Sequence, residues 1–190
     1  MSFIGRNLGR RAIAAICACM LVGALASTAS AQDEPAFVAP CGDGFEWSAE
    51  AGQPILFFCG WGTQGGPGLV VAFLNAYSAS LTVEDEAGNP VLTIDAAALA
   101  ALWSDPESFP SGFDDVTCAG PTGQGASWSY VLENGLPAGT YTVFLSQAFS
   151  HPVTDGFHTC WAEDGTRLVS PPDHLASGSF EAISTLIVEN

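Results

Sequence analysis

Lysine is absent from this chain, and four arginines are all that stand against twenty aspartates and glutamates. Without a lysine amine there is no Schiff-base chemistry. With so few cations there is also no means of displacing counterions from a phosphate backbone, which excludes nucleic acid as a partner. Three of the arginines, Arg6, Arg10 and Arg11, lie at the extreme N-terminus, so Arg167 is the one basic side chain in the remainder. That remainder is disfavoured at anionic membrane surfaces for the same reason. A long apolar run is missing too: residues 12–26 are apolar, broken only by small side chains, but a spanning helix needs roughly twenty residues.

Together the basic start, the short apolar run and Ala29-Ser30-Ala31 before Gln32 have the form of a secretory signal peptide over residues 1–31. Its removal takes away Cys17 and Cys19 and leaves every carboxylate in place. The mature chain is expected to be secreted, extracellular or periplasmic, and off the membrane once cleaved. Residues 32–40, with two prolines, two acids and no periodicity, are expected to be a flexible leader. Residues 41–190 are expected to form a single domain, since a chain of this length holds one core comfortably and two poorly. The large negative charge is in the first instance a solubility device outside the cell.

Four cysteines remain: Cys41, Cys59, Cys118 and Cys160. An even number in an exported domain predicts two disulfides, with three connectivities that the sequence does not separate. Cys41 and Cys59 flank one predicted hairpin and are the expected pair, leaving Cys118 with Cys160. No Cys-x-x-Cys spacing is present, against a zinc knuckle or a thioredoxin-like site.

The residue pattern is that of strands. Phe45, Trp47 and Ala49 alternate with Glu46, Ser48 and Glu50, and an apolar run over 54–61 follows the turn at Gly52. The run 69–75 fits a short helix or a central strand, and its β-branched pair and flanking glycines favour strand. Residues 81–84 and 90–94 around Glu86-Ala87-Gly88-Asn89 predict a hairpin. Asp95 before an alanine-rich run predicts the N-cap of one short helix. A long loop is expected over 104–126 and another over 151–156. Strands are expected at 127–132, 140–146, 157–161 and 179–188, the last with Phe180, Ala182, Ser184, Leu186 and Val188 on one face.

These features predict an all-β fold, an antiparallel β-sandwich of Ig-like or jelly-roll-like type with one short helix and a long loop. The stretch Leu136-Pro137-Ala138-Gly139-Thr140-Tyr141-Thr142-Val143 resembles a hairpin of exported bacterial Ig-like and pre-peptidase-type β-sandwich modules, and 81–92 is similar to their acid-turn-glycine hairpins. The stretch from Trp128-Ser129-Tyr130 to His151-Pro152-Val153-Thr154-Asp155-Gly156 also resembles exported bacterial proteins of unknown function. The resemblance implies an address and a fold, and it assigns no functional residue.

Candidate chemistry is sparse. His151 and His158 with Asp155, and the pair Asp114-Asp115 in the long loop, are the metal-ligand candidates, with no His-x-His or His-x-x-x-His pair among them. No cofactor is expected, calcium being the cation that abundant carboxylates would suit. Trp61, Trp103 and Trp161 sit beside loops and are candidates for a sugar-binding platform, while Trp47 and Trp128 are in phase with core neighbours. There is no Gly-x-Ser-x-Gly, His-Glu-x-x-His or Gly-Lys-[Ser/Thr] motif. The expectation is a non-enzymatic binding or structural module with a carbohydrate or an extracellular protein as partner. A carbohydrate- or calcium-dependent surface-binding domain is the alternative and a secreted hydrolase the third reading.

Overall fold

A computed structural model describes residues 34–63, 67–110, 122–154 and 176–190. Nine strands and two helices are formed among them: β1 (Ala36–Val38), β2 (Glu46–Glu50), β3 (Ile55–Thr63), α1 (Pro67–Ala76), β4 (Tyr77–Glu84), β5 (Pro90–Ile94), α2 (Ala96–Ala100), β6 (Glu107–Pro110), β7 (Thr122–Leu132), β8 (Gly139–Val153) and β9 (Ala176–Glu189). They make two packed sheets, β1-β3-β7-β6 and β2-β9-β8-β4-β5. The expected β-sandwich is observed. Both sheets are mixed, however: β1 runs parallel to β3 and β2 parallel to β9, each at the edge of its sheet.

Period-two alternation drives both inner faces. Ile55, Phe57 and Cys59 of β3 and Trp128 of β7 face Leu81 and Val83 of β4, Val143 and Leu145 of β8, and Ala182 and Leu186 of β9 in one buried cluster. Burying a side chain of this size contributes about 1.5–3 kcal/mol. Register sets the layers: Leu81 lies opposite Leu145, which lies opposite Ala182, and Val83 lies opposite Val143, which lies opposite Ser184. The predicted hairpin forms as β4–β5. Its turn is held by Asp85, whose Oδ1 accepts from the amides of Ala87 at 2.9 Å and Asn89 at 2.8 Å. The predicted cap also forms, the Ala98 amide donating to Asp95 Oδ1 at 2.8 Å.

Five expectations are corrected. The leader is not loose throughout, because Ala36 and Val38 are buried on β1. β2 and β3 are not a hairpin: the turn after Glu50 is an arch that carries the chain from one sheet to the other. The run 69–75 is helical, so there are two helices where one was expected. Pro67 opens α1 at a position where its missing N–H costs nothing, and Val70, Phe73 and Ala76 are buried at helical spacing. The 104–126 loop carries strand at both ends, as β6 and the start of β7. The 151–156 loop begins inside β8, which continues to Val153. The first and third misses share a cause: a three-residue edge strand and an apolar run have no periodicity of their own, and tertiary pairing decides them.

The Cys41–Cys59 disulfide forms as expected, with Cα atoms 5.9 Å apart. Its geometry differs from the hairpin envisaged, for it ties the segment following β1 to β3 within one sheet. Cys118 and Cys160 lie outside the described residues. At the opposite turn, the Tyr141 hydroxyl donates to the Pro137 carbonyl at 2.8 Å, in the manner of the tyrosine corner of β-sandwiches. Gly135 there has φ 55°, and a Cβ at that position would collide with the backbone of Gln53, so only glycine lets the β7–β8 turn seat against the arch.

Candidate functional site

Two aromatic assemblies are built on this frame. The first closes one end of the sandwich. Helix α1 touches strands of both sheets there and places Phe73 at the centre. The Trp61 ring stacks on Phe73 at 4.4 Å with 6° between planes, and Tyr77 stacks on it at 4.8 Å. Trp103 meets both edge-on, at 5.5 and 5.7 Å. Its direction is set by a backbone bridge to Trp128, reinforced by the Ser104 amide donating to the Ser127 carbonyl at 2.7 Å. Phe149 completes the cluster.

The polar members of this end are tightly held. Tyr77 donates its hydroxyl to Gln147 Oε1 at 2.9 Å. Burial pushes the Tyr77 phenol far above its ordinary pKa, because the phenolate would lose its hydration. Gln147 is 7% exposed, and its Nε2 has no hydrogen-bond partner among the described residues. Phe180 lies opposite Gln147 in register and stacks on Phe149 at 6.2 Å, yet it is 48% exposed. The alternation that put Phe180 on the core face was right about the face. At that level of β9 Phe149 stacks on it and the rest of the ring stays open.

The second assembly runs along the side of the sandwich where the two edge strands β1 and β2 approach each other. Phe37 meets Trp47 edge-on at 6.0 Å and Phe58 at 5.9 Å, and Trp47 meets Phe45 at 5.7 Å. Four rings thus form one strip, drawn from β1, β2, β3 and the residue just before β2. Phe37 is 40% exposed and Phe45 44% exposed, whereas Trp47 and Phe58 are half-buried beneath them. Backbone bonds fix the strip: the Gly44 amide donates to the Ile183 carbonyl and the Thr185 amide to the Phe45 carbonyl, each at 2.8 Å, and Asp43 Oδ1 accepts from the Ile183 amide at 3.1 Å. Glu34, Asp43, Glu46 and Glu50 lie in this same stretch of chain, and none of the described residues is a lysine or an arginine.

Of the sequence candidates, Trp61 and Trp103 come together, but their rings engage Phe73 and Tyr77 and do not form a flat platform. Trp161 lies outside the described residues, as do Asp114, Asp115, Asp155 and His158. His151 is exposed on β8 with its Nδ1 3.1 Å from the Ser150 hydroxyl. Among the described residues there is no group of three potential metal ligands. No family model, curated protein or solved structure matches the chain. Sequence reasoning missed Phe37 and Phe58. Phe37 sits in the segment read as a leader, and the flanking pair Ala36 and Val38 is too short a period-two signal to mark a strand.

The remaining titratable features are structural. A hollow of about 280 Å³ between the β4–β5 and β7–β8 turns is lined by Asp85, Glu86 and Tyr141 among others. The Tyr141 phenol is raised there, first by burial and then by the carboxylates of Asp85 and Glu86. The Asp85 carboxyl is held below its ordinary range by hydrogen bonds from the Asn89 side chain and the turn amides. No helix among the described residues is long and apolar enough to cross a membrane.

Proposed function

We propose that this chain is an exported, disulfide-stapled β-sandwich that acts outside the cytoplasm as a non-catalytic binding module, with the Phe37–Phe58–Trp47–Phe45 strip as its contact surface. The carrying observation is the exposure of two phenylalanines at the outside of a ring cluster that the backbone holds rigidly. Exposed apolar groups joined in one patch mark contact surfaces, whereas isolated ones do not. Rigid aromatic anchors also lose little conformational freedom on binding, which is why they dominate interface energetics. Export is supported by the Arg6-to-Ala31 pattern and by the Cys41–Cys59 bond, a linkage that persists in oxidising compartments.

The test has two parts. Expressed with its N-terminus intact, the protein is expected in the extracytoplasmic fraction, starting at Gln32 by mass spectrometry; a cytoplasmic chain beginning at Met1 overturns the export. The purified protein is then mixed with intact cells of the strain that makes it and sedimented. Wild type is expected to sediment with the cells and a Phe37→Ser, Phe45→Ser variant to stay in the supernatant. Equal partition of the two overturns the assignment of the strip.

A further inference from the structure

We propose that the uncovered edge of β9 at Ser179 and Glu181 takes up a short extended segment of a partner polypeptide as an added strand, with an apolar side chain laid against Phe180. This contact is additional to the aromatic strip and needs none of its rings.

On one side β9 pairs with β8, from Ala176 opposite Val153 to Val188 opposite Gly139. On its other side β2 covers only Thr185 to Glu189. The chain just ahead of β2 extends that cover by one step. The Gly44 amide donates to the Ile183 carbonyl, the Thr185 amide to the Phe45 carbonyl, and the Ile183 amide to Asp43 Oδ1. Residues 183 and 185 therefore turn their backbone groups towards β2. The register with β8 is unbroken from Gly178 to Val188, and alternate residues of a strand point the same way, so Ser179 and Glu181 turn theirs to that side too. Among the described residues no strand or turn meets them there. Exposure marks the same boundary: Ala182, Ser184, Leu186 and Val188 are buried in alternation, whereas every residue from Ser177 to Glu181 is exposed.

Unpaired N–H and C=O groups at strand spacing are matched by another extended backbone, and β2 already docks on this edge in that manner. A residue placed opposite Phe180 points to the same face, where an apolar side chain would pack on a ring that Phe149 backs. Opposite Glu181, whose carboxylate accepts from the Ser146 hydroxyl at 2.9 Å, the next residue would face solvent and be polar. The segment is short, because Asp43 and Gly44 occupy the line of the added strand at Ile183. A second copy is disfavoured: each chain carries a net charge of −16, and so short an edge buries far less than the roughly 800 Å² per partner of a stable dimer.

Amide exchange of the purified protein, followed by NMR, is expected to show Ser179 and Glu181 exchanging freely while Phe180 and Ala182, which face β8, are protected. The probe is a short peptide of alternating valine and threonine, beside the same peptide N-methylated at alternate residues. The first is expected to slow exchange at Ser179 and Glu181, and the methylated peptide to leave it unchanged. Glu181→Pro removes an edge amide while sparing the bonds to β8, and is expected to weaken peptide binding about two- to tenfold. Glu181→Ala keeps the amide and is expected to bind as wild type. Phe180→Ser is expected to weaken binding as well. Melting curves confirm folding, and if the proline variant does not fold the methylated peptide still decides.

Protection of Ser179 and Glu181 in the protein alone overturns the proposal, in favour of cover by the chain itself if independent of protein concentration and of a second copy if it rises with concentration. Absence of any peptide effect at these amides overturns it too. So does binding that is unchanged by N-methylation or by Phe180→Ser.

Discussion

Replacing Cys41 and Cys59 by alanine tests the staple that the sequence anticipated. The two residues are separated by 18 positions. Opening a loop of that size in the unfolded state restores about 11 cal/mol/K of chain entropy, or about 3 kcal/mol at 25 °C. Cys59 is buried, so alanine, which adds no hydroxyl to the core, isolates this term better than serine. For a domain of this size each kcal/mol moves the melting temperature by about 2–4 °C, so the double variant is expected to melt roughly 6–12 °C lower. Urea unfolding under non-reducing conditions gives the free energy directly, with Cys118 and Cys160 present in both proteins. The loss also has a location. β1 is three residues long and, among the described residues, pairs only with β3, so native-state hydrogen exchange is expected to show the β1–β3 amides unprotected first while β4 and β8 keep theirs. A loss below about 1 kcal/mol, or loss of protection spread evenly over both sheets, refutes the view that the bond acts by tying this edge to β3.

Two further outcomes follow from the polar groups. Tyr77→Phe strands both ends of the buried Gln147 amide and is expected to destabilise by about 1–3 kcal/mol, whereas adding Gln147→Leu replaces both partners by apolar groups and is expected to recover most of that loss; a cycle with no coupling in urea unfolding contradicts the 2.9 Å bond. The folded-state pKa of Asp85 lies below its unfolded value of about 3.9, so its contribution is present above that value and lost as pH falls through the folded one. Asp85→Asn is accordingly expected to lower the melting temperature at pH 5–7 and to converge with wild type as pH falls through the folded-state value; a gap that is constant with pH contradicts this.

Legibility in the sequence followed the range of the interactions. The β4–β5 hairpin, the Asp95 cap and the face assignment along β9 were readable because each is decided within about ten residues, by alternation, turn chemistry and a local carboxylate. Helix α1 was not, because Leu69-Val70-Val71-Ala72-Phe73-Leu74 is apolar throughout, and only the gap between two sheets that it fills makes it a helix. The arch after Glu50 was read as a hairpin because a two-strand pattern around a glycine turn has the same local form whether the strands share a sheet or face one another. The aromatic strip was invisible for a related reason. Phe37 and Phe58 meet only because β1 lies parallel to β3, and parallel pairing leaves no mark in the adjoining sequence. Trp61 and Trp103 were singled out together for their places beside loops. They do converge, on Phe73, a residue that the strand reading of its segment could not place.

The pairing of β2 with β9 joins Glu46 to Thr185 and Glu50 to Glu189. A chain that emerges N-terminus first therefore carries β2 without this ladder partner until β9 has emerged. Phe45 and Trp47 gain the backbone bonds that hold them only when that strand arrives, whereas Phe37 and Phe58 are already set by β1 and β3, so the four-ring strip reports that β9 has docked. Whatever binds there would distinguish molecules with β9 docked from those without it.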